Sequence, residues 1–153
     1  MMEANEYQIG GTHYQGEYQH WDFVCDTDMP YLLGCATKYI SRWKEKNGVE
    51  DLRKAIHYLQ KANERGITLN KKRRISDWAF PSIKRAKVKV RTEAFVYHLP
   101  FEEAEITWLI VEGHYEKAIK MIGEIILDET NSTEEDCGPT ANYVDPDNNY
   151  FRG

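Results

Sequence analysis

Two cationic side chains at helical spacing are the first residues that suggest chemistry. Lys38 and Arg42 lie four residues apart, so a helix would project both from one face, with Thr37 and Ser41 beside them. An arginine contacts a phosphate through two parallel hydrogen bonds, and a lysine supplies a point charge. The spacing therefore predicts a surface that can hold a phosphate group.

Acidic residues follow at the start of the next predicted helix. Glu50 and Asp51 lie in its first turn, and Lys54 lies one turn further on. The two acids would orient the cations or hold Mg²⁺. The same pattern also describes an ordinary helix start, because acids complement the helix dipole and Glu50 and Lys54 form a surface pair. Both interpretations stay open at this point.

The stretch GGTHYQ, residues 10–15, places two glycines beside a hydroxyl, an imidazole and a phenol. Glycine lets the backbone approach a phosphate closely, and His13 and Tyr14 can donate hydrogen bonds to it. We therefore predict an ordered loop that folds over the helices. The alternative for His13 is a loop histidine bonded to the backbone.

Three further residues have a functional and a structural interpretation. Gly34 interrupts a periodic helix at a cost of about 1 kcal/mol relative to alanine, which indicates close approach of a ligand or of another helix. Trp21 would be a base-stacking platform or a core residue. Asp22 would be a ligand contact or a helix cap.

Apolar periodicity predicts the helices that must position these side chains. A short helix over about 21–26 precedes a longer one over 30–46, which ends before an Asn-Gly stop signal. Another helix begins near Val49 and is closed by Arg65-Gly66. Two amphipathic helices with a short joint form an antiparallel hairpin.

The second half of the chain predicts a small β element and a further helical hairpin. KVKVR, residues 87–91, alternates in the manner of a strand, and EAFVYHL would extend that strand or begin another. Helices are predicted over about 101–112 and 115–128, separated by Gly113. From Asn131 the composition predicts a disordered or partner-dependent tail. The predicted fold class is mainly α, with a helical hairpin core, a small β element and a second helical hairpin.

These features divide the chain into four parts and suggest how it assembles. The parts are a site-bearing module over 1–66, a basic segment over 67–98, a helical hairpin over 99–130 and an acidic tail over 131–153. The apolar stripes exceed what one short hairpin buries alone, so we expect a homo-oligomer.

Composition and charge exclude several classes of function. The 153 residues carry a formal net charge of −5, which argues against bulk affinity for duplex DNA. The three cysteines show no metal-binding spacing, and we find no signal peptide, which favours a reduced cytoplasmic protein. No apolar run reaches the roughly 18 residues of a membrane span, so no membrane partner is expected.

Read in order, three stretches resemble a phage-encoded domain of unknown function: GGTHYQ, HWDFV and YLLGCATKYISRWKEKNGVEDLRKAIHYL. That family has a His-Tyr pair, an Ile/Trp-Asp segment, Gly-Asn-x-x-Lys-Tyr-x-x-Arg, a Lys-Gly turn and Glu-Asp-Leu-x-Lys-Ala-x-x-Tyr-Leu. The resemblance covers about residues 9–62. This chain departs from the pattern at Cys35, where the family usually has Asn, and activity depends on whether that Asn contacts the ligand.

The resemblance implies a nucleotide kinase of the podophage type, acting in the cytoplasm of an infected bacterium. Such an enzyme phosphorylates deoxynucleoside monophosphates from a nucleoside triphosphate without a P-loop, and this chain contains no GxxxxGK[ST]. The charge for transfer would come from His13, Lys38, Arg42 and Lys54, of which His13, Lys38 and Arg42 would be catalytic, with Mg²⁺ as the expected metal if one is needed. The base would stack on Tyr14, Tyr39 or Trp21. The positions that would contact the nucleotide are Tyr14, Trp21, Asp22, Gly34, Tyr39, Lys46, Gly48, Glu50, Asp51, Lys54 and Tyr58.

Three other functions stay open. The site without catalysis would sequester a nucleotide or cyclic nucleotide against host defence. Residues 71–91, with nine Lys or Arg and one acid, would bind a nucleic acid single strand or an acidic protein, or would pair with the acidic C-terminal half. The least favoured function is a helical, metal-dependent nucleotide pyrophosphohydrolase that uses Glu102, Glu105, Glu112 and Glu116.

Overall fold

Helices account for nearly all of the regular structure in the part of the chain that the computed structural model describes, which is residues 17–69 and 83–135. For residues 83–88 and 133–135 only the backbone is described. The helices are α1 (His20–Asp26), α2 (Tyr31–Arg42), α3 (Val49–Glu64), α4 (Ile83–Tyr97), α5 (Phe101–Glu112) and α6 (Tyr115–Glu135), with a 3₁₀ turn at Trp43–Glu45 between α2 and α3. The prediction of a mainly helical protein is confirmed. Within these ranges no helix is both long and apolar enough to cross a membrane.

Helices α2 and α3 pack side by side in opposite directions. Arg42 at the end of α2 contacts Asp51 in the first turn of α3, and Tyr31 at the start of α2 contacts Tyr58 in the second half of α3. The apolar stripes that predicted the two helices face inward, because residues such as Leu33 and Leu59 are fully buried. This pair carries most of the predicted site residues on its outer face.

Helices α5 and α6 cover the inner face of the α2–α3 pair. Gly113 takes a left-handed conformation (φ 85°) between them, which a residue with a Cβ rarely adopts. Ile106 and Ile122 are fully buried in the same core as Leu52 of α3. The apolar stripes therefore bury one another within one chain. Because the stripes are covered within one chain, they do not require a homo-oligomer. Oligomerisation stays a prediction.

The predicted strand at residues 87–91 is wrong, because α4 runs through it. Two alternating valines are too short a signal to fix a period of two, and Lys, Arg, Ala and Glu favour a helix. Val90 is 65% exposed, whereas Val96 is fully buried. Phe95 stacks on Phe23 of α1 with ring centroids 5.0 Å apart, so tertiary packing anchors the helix at its C-terminal end.

The predicted end of the last helix is also wrong, because α6 continues seven residues beyond the predicted end at Asp128, to Glu135. Thr130 and Ser132 donate hydrogen bonds to the carbonyls of Ile126 and Asp128 four residues earlier. The acidic composition suggested a tail, but an exposed helix face accepts such residues. The tail prediction for residues 136–153, and the basic residues 70–82, lie outside the described residues.

Gly34 marks close packing between α1 and α2. A Cβ built on Gly34 would lie 3.4 Å from both Cγ atoms of Val24 in α1. Approach of a helix therefore explains this glycine without a ligand.

The packing role of Gly34 predicts how substitutions behave. Gly34→Ala places its Cβ in van der Waals contact and gains helix propensity, so the free energy of unfolding should rise by up to about 1 kcal/mol. Gly34→Leu should lower it by about 1–3 kcal/mol, because the larger side chain displaces α1. Urea unfolding measures both changes. A Gly34→Leu variant that is as stable as the unmodified protein would contradict the packing role.

Candidate functional site

A buried carboxylate organises the outer end of the α2–α3 pair. The Asp51 side chain is 0% exposed, and its Oδ2 lies 3.3 Å from Arg42 Nε. Its Oδ1 accepts a hydrogen bond from Asn47 Nδ2 at 3.0 Å and lies 3.6 Å from Lys54 Nζ. A buried carboxylate is tolerated when cations and hydrogen bonds satisfy it, as they do here. Asp51 thereby holds two cations of the predicted site in place.

Tyrosine rings pack against the same cations. The Arg42 guanidinium carbon lies 5.0 Å from the centre of the Tyr39 ring, and Lys54 Nζ lies 5.8 Å from it. Tyr39 and Tyr58 are stacked with centroids 5.7 Å apart. Cations over aromatic faces are attracted by the ring quadrupole. We call Tyr39, Arg42, Asp51, Lys54 and Tyr58 the cation–tyrosine cluster.

The phenol of Tyr58 stays protonated over a wide pH range. Cys35 and Tyr31, which would carry negative charge at high pH, raise the pKa of Tyr58 to about 12. Tyr31 lies edge-on to Tyr58, with ring centroids 6.4 Å apart, and is itself 75% exposed. The cluster therefore continues along α2 as an exposed aromatic surface. Cys35, which replaces the usual Asn of the resembled family, lies on this surface.

Lys38 lies on the exposed face of α2, on the side of α1. It forms no ion pair with any residue of 17–69 or 83–135 whose side chain is described. Its charge acts on His20 of α1, whose imidazole Nε2 lies 2.9 Å from Thr37 Oγ1. Burial, then Lys38 and Arg42, lower the pKa of His20 to about 4. His20 is therefore neutral at physiological pH.

The turn between α2 and α3 carries two more predicted residues. Gly48 has a left-handed φ of 55°, and its N–H donates to the Trp43 carbonyl oxygen at 2.8 Å. A glycine is favoured there by the backbone conformation. Lys46 is exposed in the same turn. The Lys-Gly element thus shapes the turn that delivers Asn47 and Asp51.

The predicted residues on α1 serve different purposes. Asp22 Oδ2 accepts a hydrogen bond from the backbone N–H of Gln19 at 2.8 Å, so Asp22 caps α1. Trp21 is 48% exposed and is not part of the fully buried core. His13 and Tyr14 lie outside the described residues.

An open groove of about 510 Å³ extends from the cluster along α3. Glu50 forms an ion pair with Lys54 at 2.6 Å at one end of this groove, and that contact raises the pKa of Lys54. Side chains of both signs and two ring systems line it, namely Leu32, Glu50, Arg53, Lys54, His57, Tyr58 and Lys61.

No preformed metal site occurs in the described residues. No group of three His, Cys, Asp or Glu side chains in 17–69 and 83–135 is arranged to hold a metal. The acids that suggested a pyrophosphohydrolase are all exposed, namely Glu102, Glu105, Glu112 and Glu116. The acid of α5 that is buried is Glu103.

Sequence reasoning missed three residues that the structure brings to the site. His20 precedes the Trp-Asp pair, and only its contact with Thr37 in α2 indicates a role. Asn47 was interpreted as a helix stop, although it also binds Asp51. Glu103, far along the chain, accepts a hydrogen bond from Trp43 in the turn that follows Arg42 and forms an ion pair with Lys44. Spacing within one helix cannot reveal partners from other elements.

The fold and this surface define a helical protein with a cation–tyrosine cluster on one helix pair. Residues 10–60 match a family described as a protein of unknown function, DUF3310. The matched segment includes α1, α2 and most of α3, and it agrees with the resemblance over about residues 9–62 to a domain of unknown function. No curated protein and no solved structure matches the chain.

Removing the Asp51 carboxylate should destabilise the protein strongly. Asp51→Ala removes the buried carboxylate that binds Arg42, Asn47 and Lys54 and so frees the turn, and we expect a loss of about 3–5 kcal/mol in the free energy of unfolding. Glu50→Ala is the matched control, because it removes the other carboxylate on Lys54 from an exposed position. It should cost less than about 1 kcal/mol. Equal losses in urea unfolding would disprove the central role of Asp51.

His20 should make stability depend on pH between 4 and 6.5. Its pKa is lowered from 6.5 to about 4 in the folded state, so the unfolded state binds the proton first as pH falls. The free energy of unfolding should therefore decrease from pH 6.5 to 4, by at most about 3 kcal/mol. His20→Gln should lack this decrease. If the unmodified protein and His20→Gln show identical pH profiles in urea unfolding, His20 is not the source of the pH dependence.

Proposed function

We propose that the outer face of α2 and α3 binds the phosphate of a nucleotide, and that the protein is a deoxynucleoside monophosphate kinase without a P-loop. The cation–tyrosine cluster is the observation that carries this proposal. In it, buried Asp51 orients Arg42 and Lys54 beside two stacked rings. The resemblance over residues 9–62 supports a role in nucleotide supply during phage infection.

Phosphate would bind at the cations of this face. Lys38 is exposed and has no ion pair in the described residues, so its charge is available to a ligand. Lys54 is 38% exposed and shares its charge with Glu50, which is 67% exposed. An exposed pair contributes little, so a phosphate dianion can displace the Glu50 carboxylate from Lys54.

The nucleobase would stack on exposed rings near the cations. Tyr31 presents most of its ring to solvent at the edge of Tyr58, and Trp21 is half-exposed on α1. Stacking on an aromatic side chain contributes about 1–3 kcal/mol per base and tolerates different bases. This arrangement supports recognition of the phosphate and the ring plane, with base preference set by further contacts.

Phosphoryl transfer needs alignment and positive charge more than covalent chemistry from the protein. A phosphate oxygen of the monophosphate attacks the γ-phosphorus of the triphosphate, the bond from that phosphorus to the bridging oxygen breaks, and two diphosphates result. Lys38 and Arg42 would neutralise the transferred group. Mg²⁺ generally binds through one or two carboxylates and the substrate phosphates, and Glu50 is the exposed carboxylate beside these cations. The roles of His13 and Tyr14 as hydrogen-bond donors to phosphate stay predictions from the sequence.

Turnover by the purified protein tests the proposal. Each deoxynucleoside monophosphate, incubated with ATP and Mg²⁺, should be converted to the diphosphate, as followed by chromatography. Lys38→Ala should lower kcat/KM by at least about 100-fold, because it removes a cation aimed at the transferred charge. Lys120→Ala is the control, since Lys120 is 79% exposed on α6 and pairs only loosely with Glu124 at 3.8 Å.

The same experiment separates the alternatives. A nucleotide retained at one per chain without any diphosphate would replace the kinase with a sequestering protein. The absence of both turnover and binding would refute the nucleotide site. Residues 71–91 would then be the leading candidate for an interaction segment. Equal activity of Lys38→Ala and Lys120→Ala would remove Lys38 from the mechanism.

A further inference from the structure

We propose that Glu103 is a positioning residue for the cation–tyrosine cluster, acting from α5, a helix outside the segment that matches the family. Glu103 Oε1 accepts a hydrogen bond from Trp43 Nε1 at 2.9 Å and lies 3.0 Å from Lys44 Nζ. Trp43 and Lys44 follow Arg42 directly in the chain. For nucleotide binding, this inference rests on the proposed function; for the geometry of the turn, it stands alone.

The turn that begins at Trp43 links Glu103 to Asp51 through backbone hydrogen bonds. The Trp43 carbonyl oxygen accepts from the Gly48 N–H at 2.8 Å, and the Gly48 carbonyl oxygen accepts from the Asp51 N–H at 3.0 Å. Asp51 then binds Arg42, which precedes Trp43 and ends α2. These hydrogen bonds therefore connect Trp43, Gly48, Asp51 and Arg42, and Glu103 of α5 binds Trp43, where the turn starts.

The burial of Glu103 is costly in a way that packing does not explain. Glu103 is 2% exposed, both of its donors share Oε1, and its Oε2 accepts no hydrogen bond from the described residues. An apolar residue of the same size would fill this position without the cost of desolvating a carboxylate. The carboxylate is therefore suited to fixing the indole N–H and the lysine in one geometry, rather than to adding stability.

Position matters because the cations must match a phosphate. A displacement of about 1 Å in a group that aligns a reacting ligand can cost about 100-fold in rate. If Trp43 shifts, Arg42 shifts with it, since the two are adjacent and Trp43 is 4% exposed in the core. Loss of Glu103 should therefore loosen the turn and weaken phosphate binding without emptying the core.

Hydrogen exchange and nucleotide binding together test this role. In Glu103→Leu and in Trp43→Phe, the Gly48 amide should exchange at least about tenfold faster relative to the Ile122 amide of α6, a local opening. The affinity for the deoxynucleoside monophosphates should fall at least about tenfold by calorimetry. In Glu103→Gln, the amide oxygen still accepts from Trp43. The Gly48 exchange rate, the nucleotide affinity and the Trp43 indole N–H resonance should therefore stay near those of the unmodified protein.

Thr107→Val is the matched control, because Thr107 lies one turn along α5, is buried and also has an unpaired side-chain oxygen among the described residues. It should leave both readouts within about twofold of the unmodified protein. Equal acceleration at Gly48 and Ile122 would show a merely structural role and overturn the proposal, as would unchanged exchange in both loss variants. If Glu103→Leu fails to fold, Trp43→Phe decides. If the unmodified protein binds no nucleotide, the proposed function fails, while the exchange data still decide whether Glu103 positions the turn.

Discussion

The buried carboxylate of Asp51 is the interaction on which the candidate site depends. It joins the end of α2, the turn and the first two turns of α3 through Arg42, Asn47 and Lys54. A carboxylate out of contact with water requires such partners, because an unpaired buried charge is strongly destabilising. The same requirement fixes the two cations beside the tyrosine rings. The stability of the helix pair and the geometry of the candidate site therefore rest on one set of contacts.

Two kinds of cation lie on this face: those that are paired with acids, and one that is not paired within the described residues. Arg42 and Lys54 are oriented by acids and rings, whereas Lys38 has no ion pair in the described part of the chain. His20 lies on the side of Lys38. It is neutral, because burial and nearby positive charge disfavour its protonation. The face can thus present positive charge to a phosphate without adding another cation. That property is what a nucleotide site on this helix pair would use.

The segment that matches the family does not form the site surroundings alone. Helices α5 and α6 cover the inner face of α2 and α3, and Glu103 reaches the turn beside Arg42. Tyr115 of α6 holds the segment that follows α3, because its hydroxyl donates to the Ile67 carbonyl oxygen at 2.7 Å. Helices α5 and α6 consequently pack against the side of α2 and α3 opposite the cations. Residues beyond the matched segment are part of the explanation of the site.

The sequence by itself determined the helices of the two pairs and the polar stripe on α2 and α3. Apolar spacing, stop signals and residues four apart are local properties, so they survive in the structure. KVKVR shows the limit of such patterns: two valines suggested a strand, but contacts of Phe95 with α1 stabilise a helix. Only the tertiary structure decided that Asp51 is buried while its neighbour Glu50 is exposed. It also decided that His20 and Glu103 belong beside the site, because burial and pairing depend on residues that are distant in the chain and meet only on folding.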